Sequence, residues 1–362
     1  MQPSFDHAAD VLGAYLQGQP KDISAQMCVI HRGVIVLDTA SSSPGSSGIT
    51  TDTPFITFSV SKAFTAAAVW YLLDAGKIDL DAPIASYWPE FGQKGKETAT
   101  IRHALLHQAG IPAPHFYQQL LLWPNWRLVT RHVARSKAEF IPGAYSAYHL
   151  VNYGFILGEV VRQVSGIPID QYLMKIFFEP MGLKHTWMRM PLQKLLLSPK
   201  LQALDPQMRS IAELFNLPAI RKALIPAAGL HSCARELACF FQMLLADGEY
   251  QGKRYLQPDT IPEAAHSHYS GYDHFIKTTI NWGLGLIVGG PNPDISNERS
   301  NPHGYGSSGA TFSAMGMGTC MVWADRKTEL VTAFTCNGVL SDSEVGSRWA
   351  LISNAVWDSL QG

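Results

Sequence analysis

A serine and a lysine, Ser59 and Lys62, stand three positions apart in the segment Phe58-Ser-Val-Ser-Lys-Ala-Phe64. Residues at i and i+3 share one face of a helix, so the Lys62 amine can approach the Ser59 hydroxyl. A serine hydroxyl is a poor nucleophile until a base takes its proton, and a lysine can be that base when burial lowers its pKa. The pair therefore indicates acyl-transfer chemistry. The alternative is a serine that merely caps a helix, with an exposed lysine one turn later.

The element that positions this pair is a helix predicted over Ser61–Ala75, with Gly76 where a left-handed C-terminal cap belongs. Strand patterns lie near both ends of the chain, and helices and Pro-rich loops dominate between Ile78 and about Asp247. The predicted elements are a hairpin over Ala25–Leu37, a helix-rich excursion over Leu192–Leu224, a helix over Ala234–Leu245, strands over Trp282–Gly289, Thr319–Ala324 and Glu329–Thr335, and a terminal helix over Ser343–Leu360.

This order of elements predicts an α+β fold. We expect a mostly antiparallel sheet formed by the N- and C-terminal segments, flanked by helices as in an α/β sandwich, with an inserted all-helical lobe. Residues 1–75 and 226–362 are assigned to the sheet domain and 76–225 to the helical domain. Together they form one catalytic unit over about residues 20–340, and a pocket is expected between the two lobes.

Composition excludes several classes of protein. Of the 362 residues, 46% are hydrophobic and 16% charged, which excludes disorder as the main state. The 28 basic and 29 acidic side chains give a net charge of −1, so nucleic-acid or membrane-surface binding has no electrostatic basis. The N-terminus does not resemble a secretory signal, and apolar stretches such as Ala66–Leu73 are far shorter than the roughly 20 residues of a membrane span.

The five cysteines, an odd number at irregular spacing without C-x-x-C, indicate buried free thiols in a reducing cytosol. We therefore expect a cytoplasmic protein. Three other patterns are rejected. Gly304-x-Gly-x-x-Gly309 lacks the strand and helix that a dinucleotide site needs, His103-x-x-x-His107 lacks the glutamate of a zinc protease, and His266-x-His268 has no partner motif. The sequence has neither G-x-S-x-G nor a Walker A motif, and no metal or cofactor is expected.

Longer segments give the Ser59 pair a context. Ser59–Phe91 combines S-x-x-K with a helix, a Gly-Lys-Ile-Asp-Leu-Asp-Ala-Pro turn and Pro-Glu-Phe. This chain resembles the serine β-lactamase-like superfamily of class C β-lactamases, D,D-peptidases and family VIII carboxylesterases, and is most similar to the last. The resemblance covers roughly Ile23–Gly338, and its further motifs follow in the family's order: Thr100–Pro112, Pro142–Gly154 with Gly158-Glu159, Ala227–Ser232 and Trp282–Gly285.

The resemblance implies roles for particular residues. Ser59 matches the acyl-accepting nucleophile, Lys62 the general base, and Tyr148 the tyrosine that shares the proton and hands it to the leaving group. Tyr148 is preferred to Tyr145 and Tyr153, which suit core packing better. In β-lactamases and peptidases an asparagine stands two positions after that tyrosine, whereas this chain has Leu150. Because leucine cannot hydrogen-bond the substrate amide, this departure from the family pattern favours ester substrates.

The third motif of the family, K-T-G, H-x-G or W-G-G, has two candidate positions here. Ser307, Ser308 and Gly309 resemble K-T-G with serine in place of lysine, and we prefer this register. Ala314-Met-Gly316 is the alternative. Neither carries a cation, which should weaken the binding of substrates with a carboxylate. A backbone N–H of this strand is expected to form the oxyanion hole with that of Ser59.

The sequence thus predicts a serine hydrolase of the carboxylesterase type, acting on a small ester with a short to medium acyl chain. His149, Leu150, Trp123 and Trp282 are candidate pocket residues, and the segment 115–126 is expected to wall an apolar acyl pocket or to be helical core. Acyl transfer through the same acyl-enzyme, weak β-lactamase or D-amino-acid amidase activity, and a catalytically silent binding protein stay open. So does assembly into a homo-oligomer.

Overall fold

The computed structural model describes residues 3–112, 120–289 and 301–361. Its α-helices within these ranges are α1 (Asp6–Gln17), α2 (Ser61–Asp74), α3 (Ile101–Leu105), α4 (Trp126–Arg135), α5 (Asn152–Ser165), α6 (Ile169–Leu173), α7 (Glu179–Met181), α8 (Arg209–Asn216), α9 (Pro218–Arg221), α10 (Ala234–Leu245), α11 (Thr260–Ala264) and α12 (Asp342–Gln361). The 3₁₀ turns are Phe58–Val60, Ile84–Ser86, Pro89–Phe91, Leu192–Leu197 and Pro206–Met208, and the turn Met174–Phe178 is π-helical.

The strands are β1 (Ser24–His31), β2 (Val34–Ser42), β3 (Phe55–Ile56), β4 (Gln202–Ala203), β5 (His231–Ser232), β6 (Glu249–Tyr250), β7 (Lys253–Arg254), β8 (Tyr269–Asp273), β9 (Thr278–Trp282), β10 (Ile287–Val288), β11 (Thr311–Gly316), β12 (Cys320–Asp325), β13 (Leu330–Cys336) and β14 (Gly338–Val339).

One large sheet joins the two ends of the chain. Within the described ranges it has eight strands in the order β2-β1-β13-β12-β11-β10-β9-β8, and neighbouring strands are antiparallel. The N-terminal hairpin lies beside the last long strand, since Ala25 pairs with Cys336 and His31 with Leu330. The predicted α+β architecture, a mostly antiparallel sheet built from both termini, is confirmed.

Helices cover both faces of this sheet. On one face α1 packs against α12, and their apolar side chains meet Trp323 and Phe334 of the sheet in one core. On the other face α10 contacts β1, β12 and β13. The larger core on that side also includes α2, which is buried on all sides from Ser61 to Trp70. A helix surrounded by protein is a rigid platform for the residues at its first turn.

The predicted helix after Ser59 ends at Asp74, and Gly76 adopts the expected left-handed conformation with φ of +63°. The prediction of a single strand over Trp282–Gly289 is wrong. β9 ends at Trp282, and the chain turns at Gly285, whose φ is +95°, before β10 begins. The turn lets the backbone pass close to α2, because a Cβ on Gly285 would overlap that of Ala66.

All five cysteines are buried and none forms a disulfide. None of the helices in the described ranges combines the length and apolar character needed to cross a membrane.

Candidate active site

Ser59 lies in the 3₁₀ turn Phe58–Val60, which runs directly into α2, and its side chain is half-buried. Phe58 has a φ of +45°, a left-handed conformation that is unfavourable for a bulky side chain. Its ring packs edge-on against Phe215 with centroids 4.7 Å apart. The surrounding packing therefore imposes this conformation, which presents the Ser59 hydroxyl at the N-terminal end of a helix.

The turn is attached to the segment after α9 by hydrogen bonds with Leu230. The Thr57 N–H donates to the Leu230 carbonyl at 2.8 Å, and the Leu230 N–H donates to the Ser61 hydroxyl at 3.0 Å. That hydroxyl in turn donates to the carbonyl of Phe58 at 2.5 Å. Ser61, one of two serines in S-x-S-K, thus holds the backbone, whereas Ser59 presents its hydroxyl to Lys62.

Lys62 is 5% exposed, and three oxygen atoms surround its Nζ. They are the Ser59 hydroxyl at 3.1 Å and the carbonyls of Leu150 at 2.8 Å and Ala227 at 3.1 Å. Burial holds the pKa of Lys62 well below its usual value, which favours the neutral amine. A neutral amine has two N–H donors for the two carbonyls, and its lone pair is then left for the proton of Ser59. This geometry can activate the serine.

Tyr148 lies beside this pair. Its phenol hydrogen-bonds Ser59, and the Nζ of Lys62 stands 4.6 Å from the centre of its ring. Burial raises the pKa of the phenol, the hydrogen bond with Ser59 lowers it, and the charge of Asp273 raises it; the balance is a raised pKa. The phenol therefore carries its proton at rest. Ser59, Lys62 and Tyr148, which come from two parts of the sequence, meet at one point.

Trp282, a predicted pocket residue, contacts Tyr148 directly. The two rings are nearly parallel at 13°, with centroids 5.8 Å apart. His107 packs against both, with centroids 4.5 Å from Tyr148 and 4.6 Å from Trp282. In the sequence, His107 was a candidate only for the rejected metal site with His103. Instead its Nδ1 accepts the backbone N–H of His149 at 3.0 Å, and burial lowers its pKa well below the usual value.

His149 and Leu150 follow Tyr148 but act through different atoms. Both ring nitrogens of His149 are engaged with backbone, Nδ1 with Ala147 O at 2.7 Å and Nε2 with Ile111 N at 3.1 Å. Burial lowers the pKa of His149 to about 4, so this histidine braces the loop in its neutral form. Leu150 contributes its carbonyl to Lys62, and its half-buried side chain packs against the core.

Trp123 is 1% exposed, and its ring centroid lies 6.0 Å from that of Phe215, the residue that also supports Phe58. It therefore belongs to the packing behind the Ser59 turn. Residues 115–119 of the segment 115–126, proposed as an acyl-pocket wall, lie outside the described residues.

Of the two candidate third-motif segments, Ala314–Gly316 is the end of β11, whereas Ser307–Gly309 precedes its first residue, Thr311. Ser308 binds Asp325 through both its N–H and its hydroxyl, near Thr311 at the start of the strand. Gly316, at the other end, packs on the backbone of Thr57 and stands 3.2 Å, by its Cβ position, from the Cβ of Phe58. Five steps along a strand cover about 17 Å. Gly316, and not Ser307–Gly309, therefore lies against the Ser59 turn. This placement differs from the third-motif register that we preferred from the sequence.

Two residues that sequence analysis did not single out, Ser146 and Asp273, bind the loop that carries Tyr148. Asp273 accepts the Tyr148 N–H at 3.0 Å and the Ser146 hydroxyl at 2.6 Å. Ser146 lies within the Pro142–Gly154 segment already noted, so its position was a usable signal. Asp273 lies 125 residues after Tyr148 and belongs to no motif, so only the fold reveals it.

Comparison with known proteins gives a consistent result. The family model described as Beta-lactamase matches residues 12–356. The chain is 26% identical, over 94% of its length and 80% of the relative's, to "Esterase/beta-lactamase LipL" of Mycobacterium tuberculosis.

Solved structures agree with this match. A family VIII carboxylesterase superposes with a TM-score of 0.83 at 25% identity, covering 98% of this chain and 97% of the other. A penicillin-binding protein homologue from Caulobacter crescentus superposes with a TM-score of 0.81 at 25% identity and the same coverage.

Proposed function

The chain belongs to the beta-lactamase family of serine hydrolases, and from that premise we propose that it cleaves carboxylic esters with short to medium acyl chains. In this proposal Ser59 is the nucleophile, Lys62 the general base and Tyr148 the proton donor to the leaving group. The observation that carries it is the environment of the Lys62 Nζ, with two backbone carbonyls and the Ser59 hydroxyl as its neighbours.

In the first step Lys62 takes the Ser59 proton as Oγ bonds to the ester carbonyl carbon. The carbonyl oxygen becomes an oxyanion, for which the N–H of Ser59 at the helix start is one donor. We propose that the second N–H comes from the segment Met315–Met317 around Gly316. Because Gly316 has no side chain, this strand can lie against the Thr57–Ser59 backbone.

In the second step the C–O bond to the alcohol breaks, and the tetrahedral adduct collapses to an ester of Ser59. The leaving alkoxide takes a proton from Tyr148, which Lys62 replenishes with the proton it received from Ser59. Water then attacks the acyl-enzyme by the reverse sequence of proton transfers. The Ser59 hydroxyl contacts both the Lys62 amine and the Tyr148 phenol, which supports these roles.

Two features favour esters over β-lactams. Leu150 cannot hydrogen-bond a substrate amide, and β11, with the sequence Thr-Phe-Ser-Ala-Met-Gly, provides no lysine or arginine for a substrate carboxylate. A site that lacks such partners gains no binding energy from the amide or the carboxylate. It therefore does not favour substrates that carry these groups over simple esters. An alcohol is also a better leaving group than an amine.

The test is the intact mass of the protein after incubation with a serine-directed fluorophosphonate, for wild type and Ser59→Ala. We expect a single adduct on wild type and none on Ser59→Ala. Turnover of p-nitrophenyl acetate and butyrate should then exceed that of a chromogenic cephalosporin. An unlabelled wild-type protein would contradict the proposal and favour a silent binding protein. A labelled enzyme that prefers the cephalosporin would retain Ser59 as nucleophile and overturn the ester assignment.

A further inference from the structure

We propose that Asp273 is the positioning residue for Tyr148: its carboxylate, supplied by the β8–β9 hairpin, fixes the Tyr148 loop and places a negative charge behind the phenol. This inference rests on the proposed function, because it concerns the group proposed to protonate the leaving alcohol. Asp273 touches neither substrate nor reacting atoms in this scheme and acts through Tyr148.

Both oxygens of this carboxylate are used. Asp273 is fully buried; its Oδ2 accepts the Ser146 hydroxyl at 2.6 Å, and its Oδ1 accepts the Tyr148 N–H at 3.0 Å. The N–H groups of Phe275 and Ile276 add bonds of 3.0 and 3.1 Å to Oδ1. Four donors around a buried carboxyl suit the ionised form, which only accepts hydrogen bonds. With no lysine or arginine among these partners, hydrogen bonds alone stabilise the buried charge.

The same hairpin holds the ring of Tyr148 as well as its backbone. Trp282, the last residue of β9, stacks on the Tyr148 ring and donates from Nε1 to the Ser146 hydroxyl at 3.0 Å. The His274 N–H donates to the Ser146 carbonyl at 2.9 Å. Backbone, ring and neighbouring serine are thus all fixed from the ends of two paired strands, so a shift of the hairpin would move the phenol relative to Ser59.

The charge of Asp273 also acts on the proton of Tyr148. Burial is the largest cause of the raised pKa of the phenol; the Ser59 hydrogen bond lowers it, and Asp273 raises it. A neutral side chain at position 273 should therefore release the phenol proton at lower pH, even where the loop keeps its geometry. A purely structural clasp would leave this titration unchanged.

Other titratable groups surround the phenol and the carboxylate. They are Lys62 on α2, His107 after α3, His149 beside Tyr148, Tyr153 on α5 and His274 beside Asp273. Burial lowers the pKa of His107 and of His149, and it raises that of Tyr153 well above its usual value. These three groups therefore keep one protonation state over the alkaline range in which Tyr148 is tested. The rise of kcat with pH is assigned to the loss of the proton from Lys62.

Asp273→Asn separates the charge from the geometry. The Asn Oδ1 can keep the three backbone N–H groups, and its amide can donate to Ser146, whose hydroxyl can turn to the Leu106 carbonyl 3.4 Å away. Asp325→Asn is the matched control. Asp325 is also fully buried and also holds a turn through backbone and hydroxyl donors, but it ends β12, opposite Thr311 and away from Tyr148.

The experiment is the pH profile of kcat and KM between pH 6 and 11 with p-nitrophenyl butyrate, together with the fluorophosphonate labelling rate and urea unfolding of each variant. For Asp273→Asn we expect kcat to fall 10- to 100-fold with KM within about twofold, and the alkaline decrease in kcat to begin at a lower pH than in wild type, where burial and the charge of Asp273 raise the pKa of the phenol. Asp325→Asn should leave both unchanged. Ser146→Ala keeps the charge and should lower kcat without moving the alkaline limb, which provides a second test if Asp273→Asn folds poorly.

An unchanged kcat and alkaline limb in folded Asp273→Asn would overturn this inference, as would equal losses in Asp325→Asn. For Ser146→Ala, a wild-type kcat or a shifted alkaline limb would also count against it. These results differ from failure of the proposed function, in which wild-type protein itself neither labels nor turns over the ester. In that case the positioning role falls with it.

Discussion

Gly316 lies directly against the backbone of Thr57, two residues before Ser59. A Cβ at position 316 would overlap the Thr57 carbonyl oxygen and stand 3.0 Å from its carbonyl carbon. Gly309, in the other candidate segment, has nothing within 4 Å of its Cβ position. A side chain at position 316 would therefore clash with the backbone, whereas one at position 309 would not. Alanine substitutions at the two positions can thus test which segment lies at the Ser59 turn.

Gly316→Ala should lower the free energy of unfolding by about 1–3 kcal/mol, because the added methyl has only backbone to displace. It should also reduce ester turnover by moving the Ser59 turn away from the strand. Gly309→Ala is the matched control and should stay within about 0.5 kcal/mol of wild type with unchanged kcat. Urea unfolding and p-nitrophenyl butyrate kinetics measure both. Full activity in Gly316→Ala and loss in Gly309→Ala would restore the Ser307–Gly309 register.

Lys62→Met and Lys62→Arg should each lower kcat by about 10²–10⁴-fold, since a general base is lost. Arginine retains the charge but cannot give up its proton, so its failure identifies the neutral amine as the active form. In wild type the rate should rise with pH as Lys62 loses its proton, well below the usual pKa of about 10.4, because burial lowers this pKa.

Lys96 offers a matched control for these variants. It is fully buried, and its Nζ donates to three carbonyls, those of Gln93, Ala134 and Ser136. Burial lowers its pKa to about 8. Lys96→Met should destabilise the protein but leave kcat per folded molecule unchanged, because no hydroxyl is among its partners. A wild-type rate in Lys62→Met would rule out the proposed base.

Leu150→Asn should shift selectivity towards amides. A new hydrogen bond to a substrate amide is worth about 1 kcal/mol, so kcat/KM for a chromogenic cephalosporin relative to p-nitrophenyl butyrate should rise about fivefold. The Lys62 contact uses the backbone carbonyl of residue 150 and survives the change. Leu150→Met is the control, since it keeps an apolar side chain of similar volume. An unaltered ratio would show that residue 150 does not contact the substrate.

The protein should lose stability in acid. Burial lowers the pKa of His149 and His303 to about 4 and that of His231 to about 3. In the unfolded chain a histidine binds its proton near pH 6.5, so the unfolded state gains protons first as the pH falls. The free energy of unfolding should therefore decrease below about pH 6.5, by on the order of 2 kcal/mol per such histidine at pH 5.

His303→Gln tests this dependence away from Ser59, because glutamine can keep the contact with the Ser313 hydroxyl, 2.8 Å from Nε2 in wild type. Urea unfolding at pH 8 and pH 5 should show a smaller loss for this variant than for wild type. His7→Gln, at an exposed histidine, should behave like wild type. An equal acid loss in wild type and His303→Gln would contradict the assignment for His303.

Much of the fold follows from local patterns. The run Cys320–Asp325 is mostly apolar, and α2 is rich in alanine and leucine, so both were predicted to within one or two residues. β8 and β11 were not predicted. Tyr269–Asp273 is polar because it is the edge strand of the sheet, and Thr311–Gly316 carries small residues because it lies against the Ser59 turn. Tertiary context decided both.

The candidate site divides in the same way. Ser59, Lys62 and Tyr148 could be identified because their spacing and neighbours match a known family. The carbonyls of Leu150 and Ala227 could not, since any residue supplies a carbonyl and only the fold aims it at Lys62. Asp273 lies 125 residues after Tyr148 in the chain, so no short sequence pattern could have revealed that the two are in contact.

The pairing of the first long strand with the last has a consequence for biosynthesis. β1 is apolar and buried between β2 and β13, and the Ser24 N–H bonds the side chain of Asn337, 313 positions later. At 5–20 residues per second a ribosome takes roughly 15–60 s to cover that distance. Through this interval one side of the emerging hairpin has no partner strand, so the nascent chain exposes an unpaired edge until β13 has been translated. Premature termination before β13 would leave that edge open to aggregation or to chaperones.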